Sequence, residues 1–377
     1  MVKVVGQRRR LWGTGTWSGR LALLMMLCLV LDAQDAVAAV KEGMLLLVRS
    51  IIPSLFPFMV VSEWIVRSGA GEGISRVAGK GLRSLLGIGE AAGCACLLGF
   101  LCGFPVGSRA AANYYRAGRL SDWEFSRVVC VCNLPSTAFL VSAVGVCLFG
   151  SARVGWSLVV ISLGAALVTG VLFRFLLPRG TIRALDTASP LPETSATGEG
   201  TLAASISAAA GNMLGICATV LLFCALTGVV SRFCRLLGVG RGFQVVMMGL
   251  LELSGGVCGA AGLSLPLLSP VLCAAFVGWG GLSVHCQIFS VCRGCPFPRG
   301  WFWLSRALQA LLCGGGMALW MRLGGLVLPE PTVWRDIAAG VRPLTSDFTR
   351  GWSIACVAIF VCGLCCFVCK RRKKEGA

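Results

Sequence analysis

Long apolar runs, separated by short clusters of Arg, Lys, Gly and Pro, dominate the pattern along the chain. A helix that crosses a bilayer needs about 20 mainly apolar residues. Windows at residues 44–66, 128–149, 154–177, 202–230, 267–291, 303–321 and 352–369 satisfy that requirement. An eighth window, 21–40, is interrupted at Asp32. Arg8, Arg9 and Arg10 before it and the small run Ala36, Val37, Ala38, Ala39 within its end also suit a cleaved signal peptide.

Two further apolar stretches, 90–106 and 243–263, are short and broken by glycine: Gly99, Gly103, Pro105 and Gly107 in one, Gly249, Gly255 and Gly256 in the other. Such segments dip into a membrane and return, provided protein or trapped water satisfies their backbone. With both treated as re-entrant, eight crossings place both termini on the cytoplasmic side. That agrees with the basic start and with the tail Lys370, Arg371, Arg372, Lys373, Lys374. Arg232, Arg235 and Arg241 fall on the wrong side under this scheme, and Arg335, Arg342 and Arg350 weaken the bias further.

The expected fold class is therefore all-α, a polytopic membrane helix bundle with about eight transmembrane helices and two re-entrant hairpins. The polar stretch 179–201, with Pro190 and Pro192, divides two halves of matching element order. The divisions predicted are a basic tail and first segment over 1–43, a first membrane repeat over 44–178, the linker, a second repeat over 202–322, and an external loop, last helix and basic tail over 323–377. Because one half begins outside and the other inside, the halves form an inverted repeat, an arrangement that brings broken helices together near the bilayer midplane. Two halves alike only in hydropathy would show the same pattern.

Composition narrows the chemistry. Hydrophobic residues make up 56% and charged residues 13% of the 377, against about 25% charged in a soluble domain, so a water-soluble globular protein is excluded. The net charge of +18 reads as loops beside anionic lipid, with the bilayer as partner and no nucleic acid. One histidine excludes a multi-histidine metal site, and no cofactor or metal is expected. The 21 cysteines mostly sit inside apolar runs as small packing residues; Cys362, Cys365, Cys366 and Cys369 share one helix and cannot surround a metal tetrahedrally. No G-x-S-x-G or G-x-x-x-x-G-K pattern is present, so no enzyme activity is expected.

Polar groups at bilayer depth are costly and mark candidate sites. Glu252 lies among Leu250, Leu251, Leu253, Ser254, Gly255 and Gly256, where the glycines would expose amides and carbonyls to a ligand or ion; a protonated or arginine-paired structural acid is the other reading. Asn133, Leu134, Pro135, Ser136, Thr137 interrupts a crossing, and the proline frees a carbonyl. A ligand-facing kink and a hydrogen-bonded helix contact both fit. In Gly280, Gly281, Leu282, Ser283, Val284, His285, Cys286, Gln287, the Ser283 and Gln287 side chains share a helical face while His285 points elsewhere. His285 could bind a solute, carry a proton, or bond between helices. The substrate-binding set is thus Asn133, Ser136, Glu252, Ser254, Ser283, His285 and Gln287, with hinges at Gly103, Pro105, Gly107, Gly255, Gly280 and Gly281. Glu63 is more simply paired with Arg67 at i,i+4.

These stretches resemble the YlbJ-like sporulation integral membrane proteins of endospore-forming bacteria, which carry nucleoside-recognition, or Gate, segments. The resemblance rests on Pro53-Ser-Leu-Phe-Pro57-Phe-Met-Val-Val-Ser62-Glu63, on Gly99-Phe-Leu-Cys-Gly103-Phe-Pro105-Val-Gly107-Ser-Arg109, and on Glu124 to Arg127 leading to Asn133. It continues through Phe149-Gly150, Leu251-Glu252 and Gly280-Gly-Leu-Ser283-Val-His285-Cys-Gln287. Family members often carry Thr-Asn-Gly after the acid, where this chain has Ser254-Gly255-Gly256, and small polar residues where Leu134 and Pro135 follow Asn133. The resemblance implies an uncleaved first segment, a role in forming spores, and distant kinship to nucleoside transporter and spore maturation proteins. The function expected from it is carriage of a small polar or nucleoside-like solute, or else a non-transporting scaffold that assembles with other sporulation membrane proteins.

Overall fold

The computed structural model describes residues 14–68, 81–177, 198–263 and 265–324, and among them every regular element is helical. The expected crossing at 352–369, the two basic ends and most of the linker lie outside the described residues. Three described helices are long and apolar enough to cross a membrane: Ala152–Leu176, Leu202–Leu236 and Leu268–Val291. A bent pair at the start of the chain makes a fourth if taken as one span. Val160, Val168, Leu172 and Phe175, with Leu311 and Leu319 further on, are exposed apolar side chains. A helix facing lipid presents such a surface at no cost, its backbone groups being satisfied within the helix.

Helix α1 (Thr14–Leu31) and α2 (Ala33–Leu46) meet at an angle of 95°. The bend falls at Asp32, inside the first expected crossing. It has a partner: Arg232 Nε lies 2.7 Å from Asp32 Oδ1, and Arg235 lies 3.0 Å from Asp35. Two of the arginines that disturbed the charge pattern are therefore matched by two aspartates. Past the bend, α2 runs through a π-helical turn (Leu47–Ile51) into α3 (Ile52–Arg67) without a loop. The widened turn precedes Pro53 and Pro57, which cannot donate to the carbonyls four residues earlier, and a π-turn accommodates such a loss.

The next elements are α4 (Glu90–Cys102), α5 (Val106–Arg116), α6 (Asp122–Val131), a second π-helix, π2 (Phe139–Leu148), and the long α7 (Ala152–Leu176). After α8 (Gly198–Leu236) come α9 (Arg241–Leu251), α10 (Leu253–Ala261), α11 (Leu268–Trp279), α12 (Gly281–Val291) and the long α13 (Arg299–Arg322). Each half thus presents two short helices folded back on each other, an interrupted helix, and a long one.

Glycines set how closely the hairpin arms approach. A Cβ on Gly107 would lie 2.6 Å from Gly99 Cα, and one on Gly256 would overlap Gly249 Cα. Small residues at such contacts allow dispersion between backbones where water is absent. The expected crossings at 128–149 and 267–291 are both interrupted, the first at 132–136 within the polar stretch the sequence marked and the second at Gly280. At the first, Pro135 removes a donor; at the second, Gly280 (φ 87°) and Gly281 (φ 76°) take left-handed conformations that other residues enter only with strain.

Around α4–α6, α7, α12 and α13, a core of Phe125, Phe173, Phe302, Ile288 and small residues such as Ala92, Cys96 and Ala111 is closed to solvent. At its margin, Glu124 forms a capping box with Ser121 and also accepts from Gly89 N–H at 3.0 Å. Arg127 donates to the Leu86 and Arg174 carbonyls at 3.3 and 2.9 Å. The Glu124 to Arg127 motif therefore fastens three helix ends together.

Candidate functional site

Glu252 is the single extended residue between α9 and α10 (φ −141°, ψ 127°). Its N–H ends α9 on the Met248 carbonyl at 2.7 Å. The carboxylate turns onto the following helix, accepting from Ser254 N–H at 3.0 Å and Gly255 N–H at 2.6 Å. An anion in that position is favoured by the unpaired first-turn amides and by the helix dipole. The amides that the glycines would offer to a ligand are thus already taken by the protein's own acid. Among the described residues Glu252 is in no ion pair.

The break between α11 and α12 sits on this one. A Cβ on Gly281 would stand 2.9 Å from Leu253 N and 3.2 Å from Glu252 Cα, and Trp279 Nε1 donates to the Leu250 carbonyl at 3.0 Å. In the first half the same pairing recurs. Phe104 N–H donates to the Leu134 carbonyl at 2.8 Å, and Gly103 (φ 81°) fits where a Cβ would overlap Ser136 N. Each hairpin tip therefore meets the interruption of the next helix. Gly103, Gly280 and Gly281 have positive φ; Gly107 and Gly255 lie in helical first turns, and Pro105 caps α5.

Between these junctions lies a cavity of about 50 Å³. Its polar lining is Ser136, Glu252, Ser254, Ser283 and Gln287; Phe104, Phe139, Ile51, Leu55, Ile216 and Val220 close the remainder. Residues as far apart in the chain as Ser136 and Gln287 thus share one chamber. Ser283 Oγ and Gln287 Oε1 are buried without a hydrogen-bond partner. Buried polar atoms are nearly always paired, so two unpaired ones facing a cavity mark a place for water or a ligand. At about 10–15 Å³ per water, the chamber in this conformation holds a few waters.

Two expected site residues lie elsewhere. Asn133 uses its amide inside the protein, accepting from Ser108 Oγ at 2.7 Å and donating to the Val129 carbonyl at 2.6 Å. It fastens α5 to the end of α6. His285 is fully buried, with Nε2 2.9 Å from the Trp279 carbonyl and its ring edge-on to Trp279 and Trp303 at 4.8 Å. Its Nδ1 has no partner.

Sequence reasoning passed over Arg306 and Gln309. Both are buried in α13 and both donate to the Cys130 carbonyl at 3.1 Å, while Arg306 also reaches the Asn133 carbonyl at 2.5 Å. An arginine inside the apolar window 303–321 was the available signal. A second, smaller cavity of about 20 Å³ is lined by Ser62, Glu63, Arg109, Asn113 and Asn212. There Glu63 pairs with Arg67 at 3.0 Å, one helical turn away.

No protein-family model matches the chain. It is similar to the sporulation integral membrane protein YlbJ of Bacillus subtilis (strain 168), with 22% identity over 373 residues, covering 88% of this chain and 89% of that one. Among solved structures it is similar to a double variant of CNTnw in an outward-facing state, at 16% identity and a TM-score of 0.45, covering 83% of this chain and 86% of that chain. With apolar helices long enough to cross a membrane and an integral membrane protein as relative over most of its length, the chain is a multi-pass helical membrane protein.

Proposed function

We propose that the protein is a carrier of a small polar solute, acting in sporulation as the name of its Bacillus relative suggests. The observation behind this reading is the chamber where two helix interruptions face each other, with Glu252, Ser283 and Gln287 on its wall and two of its polar atoms unpaired. A solute rich in hydroxyl or N–H donors, nucleoside-like in character, complements an acidic and amide-oxygen lining. Admitting one of that size requires the hairpin tips to part, because the chamber as it stands accommodates a few waters. The repeated order of hairpin, interrupted helix and long helix supports eight crossings arranged as two inverted halves, in which such parting is the transport step.

The test is flux in proteoliposomes, with radiolabelled nucleosides and small polyols offered to the purified protein. Ser283→Ala and Gln287→Leu are the informative variants, since neither side-chain oxygen has a bond to lose in the empty protein. Each is expected to lower flux about tenfold, the equivalent of about 1.4 kcal/mol of solute binding, with the thermal midpoint unchanged. Absence of flux for every solute, or wild-type flux in both variants, would remove the chamber from consideration.

A further inference from the structure

We propose that the carbonyl end of α6 is a monovalent-cation site whose resident cation is the guanidinium of Arg306. Pro135 has no N–H, so the helix cannot continue past Val131, and its last carbonyls turn toward α13. Their partners can be traced. Val128 O accepts from Cys132 N–H at 2.8 Å and Val129 O from Asn133 Nδ2 at 2.6 Å. Cys130 O and Asn133 O are taken by the two terminal nitrogens of Arg306 at 3.1 and 2.5 Å, with Gln309 adding a donor to Cys130 O.

Arg306 is 1% exposed, and among the described residues no carboxylate pairs with it. The Phe302 ring centroid lies 5.8 Å from its Cζ. A buried charge without an opposite charge persists only where oriented dipoles replace it. Here the replacement is a helix C-terminus, which carries about half a negative charge, together with two main-chain oxygens. Oxygens arranged without a donor of their own suit a cation. The protein supplies it covalently, so this end of the chamber is held without any dissolved ion. Pro135 and Ser136, on the chamber wall, follow one residue beyond the segment that Arg306 grips. Arg306 is therefore a positioning residue, and the inference rests on its contacts alone, independent of whether any solute is carried.

The test compares Arg306→Ala, Arg306→Met and Arg306→Lys, purified in detergent, by thermal midpoint with millimolar guanidinium, potassium, sodium or tetramethylammonium chloride. Arg306→Ala should melt roughly 4–6 °C below the parent. Guanidinium should restore part of that loss with saturating dependence on concentration, leave the parent unchanged, and act where tetramethylammonium does not. Rescue by potassium or sodium would extend the site to simple ions and supports the same assignment. Should Arg306→Ala fail to fold, the other pair decides: Lys keeps the charge, Met keeps the bulk. A folded Lys variant beside an unfolded or strongly destabilised Met variant supports the cation site. Equal midpoints for Lys and Met, or the same guanidinium response in variant and parent, would overturn it.

Discussion

Replacing Glu252 by Gln leaves the side chain's shape and removes its charge and one acceptor. Both carboxylate oxygens now accept main-chain N–H groups, at 3.0 and 2.6 Å, on a side chain that is 2% exposed. Glutamine can accept only one of these with its oxygen; its NH2 group would face the other N–H. The loss of a capping bond is worth about 0.5–2 kcal/mol, and the loss of charge at the first turn up to about 2 kcal/mol in a buried setting. For a chain of 377 residues, a combined cost of about 2–3 kcal/mol corresponds to a fall in thermal midpoint of roughly 3–4 °C. Differential scanning fluorimetry of the purified protein reads this directly. A midpoint within about 1 °C of the parent would refute the capping argument. The outcome also governs how flux data are read: loss of transport in Glu252→Gln would then report a loosened hairpin tip as much as a missing contact to solute.

Asn133→Ala should destabilise by about 2–3 kcal/mol, since it deletes two buried hydrogen bonds and leaves the Ser108 hydroxyl only its 3.8 Å contact with Cys132 Sγ, measurable as a lower unfolding midpoint. Gly103→Ala should cost at least about 2 kcal/mol, because an added Cβ meets Ser136 N at a left-handed position; reduced yield of folded protein by size-exclusion chromatography checks it. Asp32 and Arg232, with side chains 17% and 41% exposed, should show a coupling of about 1 kcal/mol or less in a double-mutant cycle, shrinking as salt is raised.

The interruptions were legible because proline and glycine act locally: 133–137, Gly103, Gly255 and Gly280 all fall at or within three residues of a break in helix. The shared face of Ser283 and Gln287 follows from helical spacing, and both reach the chamber. The orientation of Asn133 was not legible, since its choice between the chamber and Ser108 depends on where α5 lies. Glu252 was marked as an acid among glycines, yet whether its oxygens turn outward or back onto its own helix is a matter of rotamer that periodicity does not encode. Arg306 grips carbonyls 173 and 176 positions away, a contact visible only after the chain is folded. Asp32 marked an interruption of the first window, but its partner Arg232 stands in α8, across the whole first half of the chain.

With Gly99 against Gly107 and Gly249 against Gly256, neither hairpin has side-chain padding between its arms at these points. Backbones in such close register cannot slide or splay without opening an empty seam. In the proposed transport cycle each hairpin would therefore travel as a stiff paddle, and the flexing that opens the chamber would be confined to the places where the paddles join the rest of the protein.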